Sequence, residues 1–233
     1  MKRPLLPIAI LALAAVSASA QFGPRRSSVS ASGDASVSVK PDQLKLNAGV
    51  TTQAPTAQEA SDQNAAQVTL VIAALKKVAG TAGEIKTVGY SVTPNYKYPQ
   101  GGGTPTLTGY TANNTVEVTT GDLSLGGKLI DSAVQAGATN VNSLRFALKD
   151  SEPARAEALR LATLQAKRHA EAIATGLTAR LGYVIAAAEG GAVRTVNVDT
   201  RTLASGAGAT PTPVETGMVD VYATVTLEIE LIP

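Results

Sequence analysis

The side chains of this chain that could do chemistry are few and widely spaced. His169 is the sole histidine and there is no cysteine, which excludes a thiol nucleophile, a thiolate metal site and a disulfide framework. A catalytic zinc needs three protein ligands, more than one imidazole without thiolates readily supplies. Neither Gly-x-Ser-x-Gly nor Ser-x-x-Lys occurs, so no motif assembles a nucleophile with its base. At 100° per residue His169 falls within about 60° of Ala162, Ala166 and Ile173. That places it facing inward or at a packing boundary. Carboxylates remain: Glu228 and Glu230 share one face of the last strand-like segment, with Asp220 and Tyr222 further along it. Such a set suits calcium ligation or acid–base work, but its spacing is equally that of a solvated strand face, the reading preferred here. Asp150 and Glu152 stand at a helix start, where negative charge complements the dipole. Gly101-Gly102-Gly103 has no strand-to-helix setting and no following lysine, so it is not a phosphate cradle.

The tyrosines carry more. Tyr90, Tyr96, Tyr98 and Tyr110 are four of the six in the chain and fall on one expected hairpin. Exposed tyrosines bury area on a partner at low entropic cost; ordinary cross-strand packing is the competing reading. Together with Tyr222 they form the expected interaction surface. No catalytic, cofactor-binding or metal-binding residue is assigned, and no cofactor is expected.

What must position these residues begins after a targeting segment. Lys2 and Arg3, the apolar run Leu5 to Val16, and Ala18-Ser19-Ala20 have the charged, apolar and small-residue order of a signal peptide cut after Ala20. The run is too short to span a bilayer, and no later segment looks long and apolar enough to do so. The 20 basic and 18 acidic residues include Lys2 and Arg3, so the mature chain is neutral. It lacks the basic footprint of a nucleic-acid binder. Aromatics are scarce and tryptophan is absent, leaving Val, Leu, Ile and Ala to build the core.

Residues 21–28 read as a flexible leader and 29–233 as one domain. Strands are expected over Val29 to Val39 and around Leu44, Leu46, Ala48 and Val50, whose period of two marks a half-buried strand. Thr56 and Glu59 have capping-box spacing before a helix whose stripe is Ala57, Ala60, Asn64, Val68, Val71, Leu75 and Val78. Strands Glu84 to Pro94 and Leu107 to Thr120 follow, joined by the glycine-rich tip. Asp122 caps a second helix that stops at Gly137, and a strand runs from Val141 to Lys149. Ser151-Glu152-Pro153 opens a third helix with a stripe of Ala158, Ala162, Ala166, Ala170, Ile173 and Leu177. A strand from Leu181 to Ala188 precedes a long flexible loop over about 190–217. The last strand alternates Val219, Val221, Ala223, Val225, Leu227, Ile229 and Leu231 with polar residues. The order β-β-α-β-β-α-β-α-β-β predicts an α+β fold with helices against largely antiparallel sheet.

Several stretches resemble, in order, those of the SIMPL (DUF541) family. They are Gly33 to Asp42, Gly49 to Thr52 with Ala57 to Ala60, Leu107 to Asn114, Gly137-Ala138 with Phe146, the alanine-rich Ala158 to Ala174, and Thr212-Pro213-Val214 leading to Leu231. Glu215-Thr216-Gly217 departs from the Pro-Gly that is commoner before the last strand. The resemblance implies a periplasmic or outer-membrane-associated protein of the kind known as immunogenic surface antigens, loosely linked to stress tolerance. It implies ring-like homo-oligomers in some members and no established catalytic residues.

The expected function is therefore that of an exported, non-enzymatic envelope protein acting through self-assembly or contact with another envelope protein. The periplasm is the expected location, with outer-membrane association or secretion as alternatives. A small-ligand module formed by the hairpin tip and the Ala192 to Gly217 loop is the first alternative function, and a hydrolase using Glu228 and Glu230 the second. The terminal strand is expected to pair with a neighbouring chain if it lies at a sheet edge.

Overall fold

A computed structural model describes residues 27–194, 196–198 and 212–233. The signal peptide and most of the leader lie outside these residues, as do positions 199–211 of the expected loop. Within them the chain is an α+β protein with the order β1 (Ser28–Val39), β2 (Gln43–Ala54), α1 (Ala57–Ala79), β3 (Glu84–Lys97), β4 (Thr106–Thr120), α2 (Gly126–Gln135), β5 (Asn140–Ala147), α3 (Glu152–Gly176), β6 (Arg180–Arg194), β7 (Val196–Val198) and β8 (Val219–Ile232). The strands form two antiparallel sheets, one ordered β1-β8-β6 and the other β3-β4-β2-β5-β7.

Each sheet has its own core, because each buries one face under helices. On the five-stranded sheet Leu44, Leu46, Ala48, Val50, Val116, Val118, Leu144 and Phe146 meet Val68, Val71 and Leu75 of α1 and Leu129, Ile130 and Ala133 of α2. Most of these are fully buried, and burying one such side chain contributes about 1.5–3 kcal/mol. Thr56 caps α1 by accepting the Glu59 N–H at 3.2 Å. Gly80, at φ 65°, ends it in a conformation that disfavours side chains. By length and composition Ala57–Ala82 could cross a membrane, contrary to the expectation that no later segment would. Its buried line of Ala60, Asn64, Val68, Val71, Leu75 and Ala79 lies on the sheet, while Glu59, Asp62, Lys76 and Lys77 carry charge on the other face beside exposed Leu70.

On the three-stranded sheet, Val29, Ala31, Ala223, Val225, Leu227 and Ile229 pack on α3. The buried residues of that helix are Ala154, Ala158, Ala162, Ala166, Ala170 and Ala174; Ile173 and Leu177, expected in the stripe, are 42% and 59% exposed. A line of every fourth residue advances about 40° per step at 3.6 residues per turn. The contact therefore winds around the helix with the twisted sheet and reaches Ala174 instead. Alanine permits the close approach, and Gly33 of β1 completes it: a Cβ there would collide with the Ala162 carbonyl and the Ala166 nitrogen.

Two further differences concern the second half. β6 continues to Arg194, beyond the expected end at Ala188, and β7 adds a strand on β5 through Leu144↔Val198 and Phe146↔Val196. The stretch expected to be loop from residue 190 is thus strand at its start, because β8 and β5 each offer an open ladder. Thr212 then returns the chain to α2, its Oγ donating to Asp131 Oδ1 at 2.7 Å, and Val214 packs on the larger core before β8 begins.

Candidate interaction surface

β8 is not an edge strand. It lies between β1, with Val29↔Ile229 through Val39↔Val219, and β6, so the terminal strand has no free side to offer a neighbouring chain. Its carboxylates face outward on a ladder of small polar residues. Ser28 Oγ donates to Glu228 at 2.8 Å and Ser38 Oγ to Asp220 at 2.5 Å, while Ser32 and Thr226 pair at 3.0 Å. Among the described residues no group of three or more His, Cys, Asp or Glu is placed to hold a metal. Cross-strand serines account for these acids as members of a solvated sheet face.

The tyrosines divide. Tyr90 OH donates to Ser61 Oγ of α1 at 3.1 Å, and Tyr110 is half-buried beside Ala54, Ala60, Ala112 and Val92. They lie along the β3–β4 hairpin, Tyr90 opposite Asn114 and Tyr110 opposite Pro94. The hairpin is close-fitting near its outer end: Gly109 sits at φ 146°, where a Cβ would come within 2.8 Å of the Ala54 carbonyl. At the same level, Asn95 and Thr111 bond across the pair at 2.8 Å. Tyr96 and Tyr98 then stand 50% and 73% exposed, with Leu107 opposite Tyr96. Tyr222 lies on the other sheet, opposite Ser36 and Ala192. Of the five, Tyr90 at 57% is exposed like Tyr96 and Tyr98 towards the tip, Tyr110 is half-buried, and Tyr222 is elsewhere.

His169 is an exposed residue of α3 at the boundary with β1. Its Nδ1–H donates to the Ser32 carbonyl at 2.7 Å, and four residues earlier Gln165 Oε1 accepts the Asp34 N–H at 2.9 Å. In a strand, residues two apart present their backbone groups to the same side. Since β1 has β8 on its other side, these two side chains occupy its free edge. No sequence pattern announces this, because Gln165 and His169 lie one helical turn apart on the rim of the helix, a place that only docking on β1 makes meaningful.

The polar face of the larger sheet holds a second feature missed by spacing. Glu117 is 8% exposed, with Lys86 Nζ at 3.1 Å and Arg145 at 3.9 Å. With its amide turned to satisfy both, Asn47 donates to Glu117 at 3.2 Å and accepts from Arg145 at 3.3 Å. Strand register brings the network together, since Glu117 pairs with Lys86 on one side and Asn47 on the other. The resolved pKa shifts lie outside it. The Ser124 hydroxyl and N–H hold Asp122 below its ordinary value, Arg160 does the same for Glu157, and Glu189 raises Arg155. All are exposed caps and ion pairs, of the kind that contributes little energy.

Of the expected small-ligand site, most of the Ala192 to Gly217 loop lies outside the described residues. β3 and β7 stand at opposite edges of the five-stranded sheet, with three strands between them. A groove of about 450 Å³ lies instead between the end of α3 and the start of β6, where Lys167 and Arg180 are offset by Glu171.

Fold and surface thus define a two-sheet α+β protein whose salient features are exposed strands and a tyrosine-tipped hairpin. Comparison with known proteins gives the class a family. The profile of the SIMPL family, described as a protein of unknown function (DUF541), matches residues 29–229, and this chain belongs to that family. It is 29% identical over 164 residues to a 26 kDa periplasmic immunogenic protein of Brucella melitensis, the match covering 69% of this chain and 66%, just under two thirds, of that protein. It is 31% identical to an uncharacterized protein, YggE, of Edwardsiella ictaluri, covering 77% of this chain and 78% of that one. The Escherichia coli K12 protein of the same name is 28% identical over 76% of this chain and 71% of its own length.

Proposed function

We propose that this chain is an exported, periplasmic envelope protein that acts without catalysis, through assembly with its own copies and contact with other envelope proteins, in the service of stress tolerance. The observation that carries the reading is the hairpin tip. Tyr96 and Tyr98 are exposed towards the end of a strand pair that is tied to α1 by the Tyr90–Ser61 hydrogen bond and packed by half-buried Tyr110. A strand pair presenting exposed aromatic side chains suits binding, since tyrosines bury area on a partner at low entropic cost. The signal-peptide pattern and the name of the Brucella relative support the periplasm.

The test is the absolute mass of the mature chain from Gln21 to Pro233, by light scattering behind a sizing column. One defined multimer is the expected result, with Tyr96→Ser/Tyr98→Ser weakening capture of envelope proteins. A monomer that captures nothing would overturn the reading, and turnover lost in Glu228→Gln and Glu230→Gln would revive the hydrolase.

A further inference from the structure

The groove between the last turns of α3 and the start of β6 holds about 450 Å³ and takes Lys167 and Glu171 from the helix and Arg180 from the strand. That volume falls in the range of about 300–1,000 Å³ typical of small-molecule sites. Among the described residues, none of the three charged side chains enters an ion pair. Lys167 and Glu171 stand one helical turn apart, but with the lysine first, the order in which such pairs are weaker. Charges of both signs therefore face one small space without neutralising each other.

The walls of the groove depart from regular structure on both sides. α3 ends in a Schellman turn, in which the Ala179 N–H bonds the Ala174 carbonyl at 2.9 Å and the Thr178 N–H bonds the Thr175 carbonyl at 3.1 Å. Thr178 takes the position where glycine is usual, at φ 54°, and among the described residues no other non-glycine residue has a positive φ. A β-branched side chain is strained there. Across the groove β6 shifts register between Leu181 and Val184, so two of its residues, Gly182 and Tyr183, stand against Glu230 of β8, and the strand bends. Gly182 permits the approach, since a Cβ would come within 2.9 Å of Glu230 Oε2. Strained turns and bulges gather at ligand sites.

We propose that this groove binds a small zwitterion, a free amino acid or short peptide, by its two charged termini. Lys167 and Arg180 receive the carboxylate, which a guanidinium can hold through two parallel hydrogen bonds. Glu171 receives the ammonium, aided by the negative pole of α3, whose last turn carries no basic residue. A simple anion would leave Glu171 facing a like charge, and a simple cation would meet Lys167 and Arg180. The same three residues thus select against both. Ala174, Ala179 and Leu181 supply the apolar lining, which suits short aliphatic side chains. The site belongs to the three-stranded sheet, not to the sheet that carries the tyrosine hairpin, and it does not depend on assembly.

Trialanine is a suitable probe. Titrated into isotope-labelled mature chain, it is expected to shift the NMR signals of the Ala179 and Gly182 amides with a Kd of about 1 mM or tighter. N-acetyl-trialanine and trialanine amide are each expected to bind at least about tenfold more weakly. Glu171→Gln should abolish the preference for the free amine over the acetylated peptide, and Arg180→Gln the preference for the free carboxylate over the amide. Both residues are exposed, so circular dichroism should be unchanged in either variant. No shift at these amides with about 10 mM trialanine, blocked peptides that bind as well as the free one, or preferences that survive both substitutions would overturn the site. None of these results bears on the mass seen by light scattering, so its loss would leave the proposed assembly standing.

Discussion

Gly33 shows how far one residue can control this fold. Its missing side chain lets the β1 backbone touch that of α3, and both neighbours are backbone atoms that cannot rotate away. Gly33→Ala is therefore expected to cost about 1–3 kcal/mol, as overpacking does, measured by urea unfolding. Gly176→Ala, where an added Cβ meets nothing within 4 Å, should lie within about 0.5 kcal/mol of wild type. Asn64 poses the polar counterpart. Fully buried, it donates to the Val50 and Ala112 carbonyls at 2.9 and 3.1 Å, tying α1 to two strands at once. Losing that tie in Asn64→Ala should cost about 1–3 kcal/mol in the same measurement. Asp122 gives a pH signature. Its folded pKa is depressed by Ser124, so its contribution is present above the unfolded value of 3.8 and fades as pH falls through the folded one. Carboxyl titration by NMR should find the Asp122 midpoint below 3.8 in the wild type and moved upward in Ser124→Ala.

At the scale of elements, the informative pairing is that of α3 with β1. A helix laid on a sheet normally covers a face; here it also reaches around the rim to bond the free edge through Gln165 and His169. The Asp34 amide should then exchange slowly despite lying on an edge strand. Gln165→Ala is expected to speed its exchange about tenfold, equivalent to roughly 1.4 kcal/mol, with amides of the central strand β8 unchanged. The same comparison explains His169. It is a hydrogen-bond donor to a carbonyl, and its replacement by Gln, which also donates, should leave the fold intact.

For the whole molecule, the question is what binds two cores into one unit. The chain crosses between the sheets at Lys40 to Asp42, where the Asp42 N–H bonds the Ala147 carbonyl at 3.1 Å and its side chain accepts from Lys149 at 2.7 Å. It crosses again where β7 joins β5 and where Thr212 bonds Asp131. The last contact anchors the segment that leads into β8, the central strand of the smaller sheet. Asp131→Ala should lower overall stability by about 1–2 kcal/mol, and thermal unfolding followed near either core should still show one transition.

Periodicity alone determined most of the elements. Leu44, Leu46, Ala48 and Val50 alternate because one face of β2 is buried, Val219 to Ile229 do the same for β8, and Thr56 with Gly80 brackets α1; these signals are local and survive without neighbours. The targeting pattern, the even balance of charge and the scarcity of histidine and cysteine were legible in the same way, as were the motifs that resemble the SIMPL family. Strand order was not. Whether β8 is central or at an edge, whether β6 ends at Ala188 or Arg194, and whether the hairpin lies near β7 all depend on pairings between segments far apart in the chain, where no residue pattern specifies the partner. The drift of the alanine line away from Ile173 and Leu177, the use of His169 to close an edge and the meeting of Glu117 with Lys86 and Arg145 follow from those pairings. Tertiary structure alone decided them, because an edge, a rim and a register exist only once the sheets have formed.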